Sequence, residues 1–334
     1  MRILNMFAVA VVGSVALASA VSAQTLIVLN KSDHEAALVN PATLQVSAKL
    51  PTGKGPHEVA TSRDGRIAYV SNYGAYGVFR PNEQRPPQPP GTSITVLDLK
   101  AHKMTATWEL GEFKRPHGIV VSRDGKRLWV TAEENKAVLE LDTSSGRIVK
   151  SWKTDQETSH MVVPTLDEKK LYVSNIRSGS VTVITRATDA VKTIKTADGT
   201  EGIAISPDGK EVWATNRAAH TISVIDTASD TVKETFESGG KMPIRVKFTP
   251  DGKEVLVSNA QSNMVSVFNA GTRALVAKIE VGMMPVGIQM TPDGKRAFVA
   301  NTNANKVSVI DVAARKVLST FETGNEPDGM AWAR

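Results

Sequence analysis

Apolar residues along this chain come in short runs, many of them alternating with polar residues, and beyond residue 24 no stretch keeps the spacing of an amphipathic helix. The unit around Ser206 shows the order. The turn Ser206-Pro207-Asp208-Gly209-Lys210 is followed by a β-type run ending in Asn216, a second turn, the alternating run Ile222-Ser223-Val224-Ile225-Asp226, and a fourth run. Asp and Gly suit a tight strand-to-strand turn, because Gly takes the left-handed backbone freely and Asp bonds its own backbone. The same unit recurs. Asp-Gly pairs stand at Asp64-Gly65, Asp124-Gly125, Asp208-Gly209, Asp251-Gly252 and Asp293-Gly294, and Asp167-Glu168 fills the missing place. The first step between them is 60 residues and the later ones are 41 to 43. Four short strands in about 40 to 45 residues make a β-propeller blade.

The two ends of the chain complete the count. Residues 25–50 match the second, third and fourth strands of a repeat, and residues 327–332 match only a first strand. Paired in space they form one blade. The expected architecture is therefore all-β, a single seven-bladed propeller of four-stranded blades over residues 24–334, closed by pairing the C-terminal first strand with the N-terminal strands, so that no free sheet edge remains. The long first step is an insertion over residues 73–91, rich in Pro, Gly and Arg, with Tyr76, Phe79, Arg80 and Arg85. It is expected in a loop at one mouth of the central channel, as a flap or as a solvated loop.

The strand endings Tyr69-Val-Ser-Asn72, Tyr172-Val-Ser-Asn175, Leu256-Val-Ser-Asn259 and Phe298-Val-Ala-Asn301, with Ser223-Val-Ile-Asp226 and Ser308-Val-Ile-Asp311, resemble the YVTN-repeat family of extracytoplasmic β-propellers. The resemblance runs over nearly all of residues 24–334. It implies the fold. For function it implies a range, from binding modules through cofactor-associated accessory proteins to lactone-handling enzymes. The Asn column itself reads as a turn or cap feature, and one repeat has Ala132 in its place.

Residues 1–23 differ from the rest: Arg2, an apolar run from Met6 to Ala18, then small residues ending at Ala23. This is the pattern of a secretory signal peptide cleaved before Gln24. Export from a bacterium to the periplasm or the medium is expected, with no membrane span in the mature chain. The sequence has no Cys, which excludes disulfides, thiolate metal sites, Fe–S clusters and c-type haem attachment. No phosphate loop or dinucleotide fingerprint is present, so no nucleotide cofactor is expected. The net charge of +6 becomes +5 when the leader and its one Arg are removed. Those charges are mixed in sign along the turns and only 5% of residues are aromatic, which argues against nucleic acid as a partner.

Aligning the repeats on the turn Asp exposes a second column, seven residues upstream. It holds His57, His117, His160, Glu201, Ile244 and Val286, and the terminal strand adds Asp328. Around the closed ring, Asp328, His57, His117, His160 and Glu201 are contiguous. Three imidazoles and two carboxylates form a ligand set for Zn, Cu, Fe or Mn. A metal-free polar pocket and plain channel lining are the alternatives. Parity leaves the choice open, because a straight strand would put the column on the same face as Val59, Ile119, Val162, Ile203, Val246, Ile288 and Met330, between blades.

Lys31, His34, Tyr73, Glu133, Glu134, Arg177, Arg217 and His220 fall in turns expected to ring the same mouth, and Arg245 and Lys247 follow the column in one blade. Two functions follow. One is an exported binding or accessory protein holding a transition metal or small ligand on His57, His117, His160, Glu201 and Asp328. The other is a lactonase or lyase using His117 or His160 with Glu201 as acid and base, and Arg177, Arg217 or Arg245 to hold an anionic substrate. A monomer is expected, with a periplasmic protein as a further partner.

Overall fold

In each repeat the second and third runs are almost wholly buried while the fourth alternates, as in Glu211–Asn216 and Thr221–Asp226 against Thr231–Glu237. This burial gradient is what radially arranged sheets impose. Central strands are covered on both faces by neighbouring sheets, and the outermost strand forms the rim. The computed structural model describes residues 24–74 and 89–333. Those residues form seven sheets, each of four antiparallel strands.

Blade one is composite: Pro327–Ala333 is its innermost strand, followed outward by Thr25–Asn30, Glu35–Val39 and Val46–Pro51. Blades two to seven span residues 56–109, 116–153, 159–195, 200–237, 243–280 and 285–321, each running from innermost to outermost strand. Closure thus takes the expected form, with Leu26 opposite Trp332 and Val28 opposite Met330.

The core is divided into apolar layers between blades. Trp213, Ile222 and Val224 of blade five, for example, pack on Val246, Val255 and Val257 of blade six. Because the apolar side chains are used between sheets, the axis is left to other residues.

The Asn column is structural. Asn175 donates to Thr182 Oγ1 at 3.0 Å, Asn216 to Ser223 at 2.9 Å, and Asn259 and Asn301 each to a Ser at 2.8 Å. All four are fully buried at the ends of second strands. Of the 73–91 insertion, residues 75–88 lie outside the described residues, including Tyr76, Phe79, Arg80 and Arg85. Its ends are tied together at the ring, with Gly91 N donating to Tyr73 O at 2.7 Å. Residues 1–23 also lie outside the described range, and among the described residues no helix is long and apolar enough to cross a membrane.

Candidate functional site at the channel mouth

Every innermost strand carries a register shift at the upstream column. In blade three, Pro116 pairs with Ala132 and Ile119 with Val130, so His117 and Gly118 oppose the single residue Thr131. In blade two the shift falls between Pro56 and Glu58. A bulge adds one residue and reverses the alternation beyond it. His57 and His117 therefore leave the face of Val59 and Ile119 and line the mouth, which resolves the question of parity.

Two further devices place the column. The residue two positions upstream has a left-handed backbone in all seven blades: Gly55, Arg115, Thr158, Gly199, Met242, Met284 and Glu326, with φ between 53° and 81°. Five of these carry side chains, at a cost of about 1–2 kcal/mol each, so the surrounding ring must hold them there. Part of the hold is visible. His34 and His220 accept the amides of Gly55 and Met242 through Nδ1 at 3.1 Å, and Asn263 and Asn305 accept those of Met284 and Glu326 at 3.0 Å. The second device is a belt of hydroxyls. Ser71, Thr131, Ser174 and Ser258 donate to the carbonyls of His117, His160, Glu201 and Val286 in the next blade at 2.7, 2.7, 2.5 and 2.8 Å. Thr215 reaches Ile244 O at 3.2 Å and Thr302 reaches Pro327 O at 2.7 Å. In blade one Leu29 takes this place and has no hydroxyl to give.

The side chains so placed converge. The His117 and His160 rings lie 3.6 Å apart between centroids, and those of His57 and His117 lie 5.1 Å apart. His160 Nδ1 is 2.5 Å from Glu133 Oε1, and its Nε2 is 3.5 Å from Glu201 Oε1. Tyr73 donates to the other Glu133 oxygen at 2.6 Å, and its ring lies 4.5 Å from that of His57. Arg217 pairs with Glu201 at 2.9 Å, and Lys31, 1% exposed, pairs with Asp328 at 2.8 Å. His57 Nδ1 is 2.8 Å from Gly55 O. His117 Nδ1 is buried with no hydrogen-bond partner. One donor atom each from His117, Glu133 and His160 lie within 4.8 Å of one another, a spacing that could hold a metal ion.

The electrostatics separate the three imidazoles. Burial, with the Lys31 charge beside it, pushes His57 down to about 3. Burial and the charge of His160 hold His117 well below the usual range. Burial opposes charge on His160 too, but Glu133 and Glu201 overcome it and raise that ring to about 9. Burial would raise Glu201, yet the His160 hydrogen bond and Arg217 hold its carboxyl below the usual value. Lys31 and Arg245 do the same for Asp328. At neutral pH one imidazolium therefore sits between two carboxylates, beside two neutral rings.

All five predicted column residues reach one cavity of about 630 Å³ that also takes in Lys31, Tyr73, Arg217 and His220. Arg245 lies at this cavity too, and its guanidinium ion-pairs with Glu58 of blade two. Lys247 lines a cavity with Val59, Met330 and Trp332 instead. Arg177 is exposed and does not line the mouth cavity, so that anion-clamp candidate is not brought to the site. His34 and His220 serve the entering loops. The expected ligand set also changes, since Glu133 joins His117 and His160 while Asp328 faces Lys31. A signal for Glu133 was present in the residue after each second strand, which ends in Asn or, here, in Ala132. Lys31, Tyr73, Glu133 and Arg217 form a second polar column over the first in four of the five repeats whose column residue is polar, Ile176 being the exception beside His160.

Comparisons with known proteins agree on the fold. Residues 185–280 match the family model of the lactonase, 7-bladed beta-propeller, and residues 240–333 match the YNCE-like beta-propeller. A seven-bladed beta-propeller protein of Mycobacterium tuberculosis is 28% identical over 176 residues, 52% of this chain and 38% of that protein. Antigen Lp49 of Leptospira interrogans is 27% identical over 174 residues, 44% of this chain and 37% of that protein. The chain thus spans less than two fifths of the length of these relatives. Among solved structures, hydrazine synthase of Kuenenia stuttgartiensis superposes with a TM-score of 0.73 at 22% identity, covering 86% of this chain and 92% of that one. A functionally unknown protein from Desulfotomaculum acetoxidans gives 0.78 at 12% identity, covering 93% and 99%. Dihydro-heme d1 dehydrogenase NirN in complex with DHE gives 0.66 at 17% identity, covering 89% and 63%. At such identities the likeness is one of fold alone.

Proposed function

We propose that this chain is an exported binding or accessory propeller that holds a divalent transition metal at the channel mouth, on His117, His160 and Glu133, with His57, Glu201 and Asp328 around it. The observation that carries this reading is the convergence of three buried donor groups within 4.8 Å, together with the unpartnered Nδ1 of His117. Buried polar atoms are rarely left unsatisfied, and two imidazoles with a carboxylate are a familiar set for Zn and other first-row ions. Ligation would need the His160 ring to lose its proton to solvent, so metal uptake would compete with protons at this site. Three donors leave further coordination positions for a ligand.

The test is metal content after growth in metal-replete medium, with thermal melting of metal-free protein on adding Zn or Cu. About one equivalent should be retained, and saturating metal at ~100 times its dissociation constant should add about 2.7 kcal/mol to stability. His117→Ala and Glu133→Gln should lose both effects. No stoichiometric metal and an unmoved melting temperature in the wild type would sink the proposal. Export is tested by the mass of the protein recovered from a periplasmic fraction, expected to start at Gln24.

A second reading is favoured by one comparison. The lactonase match covers Glu201, Arg217 and Arg245, an acid-base candidate and two anion-holding cations, though not the three His. Turnover of lactones that disappears in Glu201→Gln supports it, and no turnover over a broad lactone panel rejects it.

A further inference from the structure

A metal ion and its waters leave most of the mouth cavity unfilled. A water takes about 30 Å³, whereas the cavity holds about 630 Å³, a size that suits an organic ligand. Its walls are unequal. Met242, Ile244 and Val286 make an apolar side, because the upstream column turns from polar to apolar in blades six and seven. Four cations, Lys31, Arg115, Arg217 and Arg245, line the cavity with two acids, Glu201 and Asp328, while the partners of Arg115 and Arg245, Glu134 and Glu58, stand outside the lining.

Two of these cations have capacity to spare. Arg217 spends one guanidinium nitrogen on Glu201 and its side chain is 38% exposed. Arg245 spends one on Glu58, and its Nη1 is buried without a partner. A guanidinium carries five donors in a planar fork, which matches the two oxygens of a carboxylate. An organic cation would meet like charge, and a neutral ligand would leave the cations without an added partner.

We propose that the mouth cavity takes a small organic carboxylate with an apolar body, its carboxylate beside Arg217 and the metal, its body against Ile244 and Val286. The inference rests on the metal reading in so far as the ion adds to the positive side, while the cationic and apolar walls belong to the chain itself. A bound carboxylate would take up a coordination position left open by His117, His160 and Glu133.

Titration calorimetry tests it, using the whole mature protein with zinc and without. The probes are acetate, butyrate, hexanoate and octanoate, with the alkyl amines and alcohols of the same lengths. Carboxylates should bind in preference to both controls, with affinity rising up to about fourfold per added methylene until the apolar wall is covered. Arg217→Met should weaken octanoate about tenfold, as loss of a charge-assisted bond does. Val286→Asp should flatten the dependence on chain length, and Ile244→Thr, a milder change, serves if that variant does not fold. Equal binding of amines or alcohols, no dependence on length, or no carboxylate binding to zinc-loaded protein overturns the inference. Zinc content measured on every sample separates the two proposals. Zinc bound without carboxylate preference defeats this one alone, and length-dependent carboxylate binding without zinc uptake defeats the metal reading alone.

Discussion

Glu133 is held from two directions, by Tyr73 at one carboxylate oxygen and His160 at the other. Arg115 lies over the Tyr73 ring at 5.1 Å and fixes it further. Outer groups of this kind fix the orientation of a ligand. Tyr73→Phe should therefore weaken zinc binding about tenfold while leaving its stoichiometry intact, as read by competition with a chelating dye. A change in stoichiometry would mean that Tyr73 acts otherwise. The column residues were legible in the sequence because repetition aligned them. Their pairings were not, because His160 finds Glu133 across a blade boundary and Lys31 finds Asp328 across 297 positions. Such partners depend on side-chain reach after the ring closes, and no local spacing encodes that.

Strands and turns carry their own consequences. The turn Asp of each repeat accepts the hydroxyl of the Ser or Thr two residues before it, as Asp167 does from Thr165 at 2.7 Å. Those bonds, with the Lys169 amide, lower Asp167 to about 2, and similar bonds lower Asp64, Asp124, Asp208, Asp251 and Asp293. A depressed carboxyl contributes stability that is full above its unfolded value near 3.8 and fades as pH falls towards its folded value. The melting temperature should thus drop between about pH 4 and 2, and Asp167→Asn should make that drop shallower. An unchanged slope would remove the turns from the acid response. Within the strands, Thr131→Val removes the bond to His160 O and should cost about 1–2 kcal/mol by urea unfolding, with weaker zinc binding beside it. The turn pattern was readable from Asp-Gly spacing alone. The bulges were not, since the sequence alternates straight through them and only the strand pairing shows the extra residue.

At the scale of the ring, closure depends on Thr25–Asn30 and Pro327–Ala333 meeting in one sheet. Asn30 accepts from Thr323 at 2.8 Å, Ser32 donates to Glu326 at 2.7 Å, and the buried Lys31–Asp328 pair lies between them. Asp328→Asn should destabilise the fold by about 3–5 kcal/mol, because it strands the Lys31 charge, and Lys31→Met together with Asp328→Leu should recover much of the loss. If the double variant is no more stable than Asp328→Asn, the cost comes from packing and not from the stranded charge. Blade number was readable because the repeats are nearly equal in length and the two chain ends are complementary.

The hydroxyl belt leaves one interface unlike the others. Between blades one and two Leu29 cannot bridge at the mouth, yet Thr61 donates to Trp332 O at 2.8 Å further along the same pair of inner strands. At the mouth itself an imidazole takes over from the missing hydroxyl, since His34 of blade one accepts the Gly55 amide at 3.1 Å. The interface is thus fastened at both levels by different chemistry, and His57 stands in a rim that is tied on its blade one side as on the others.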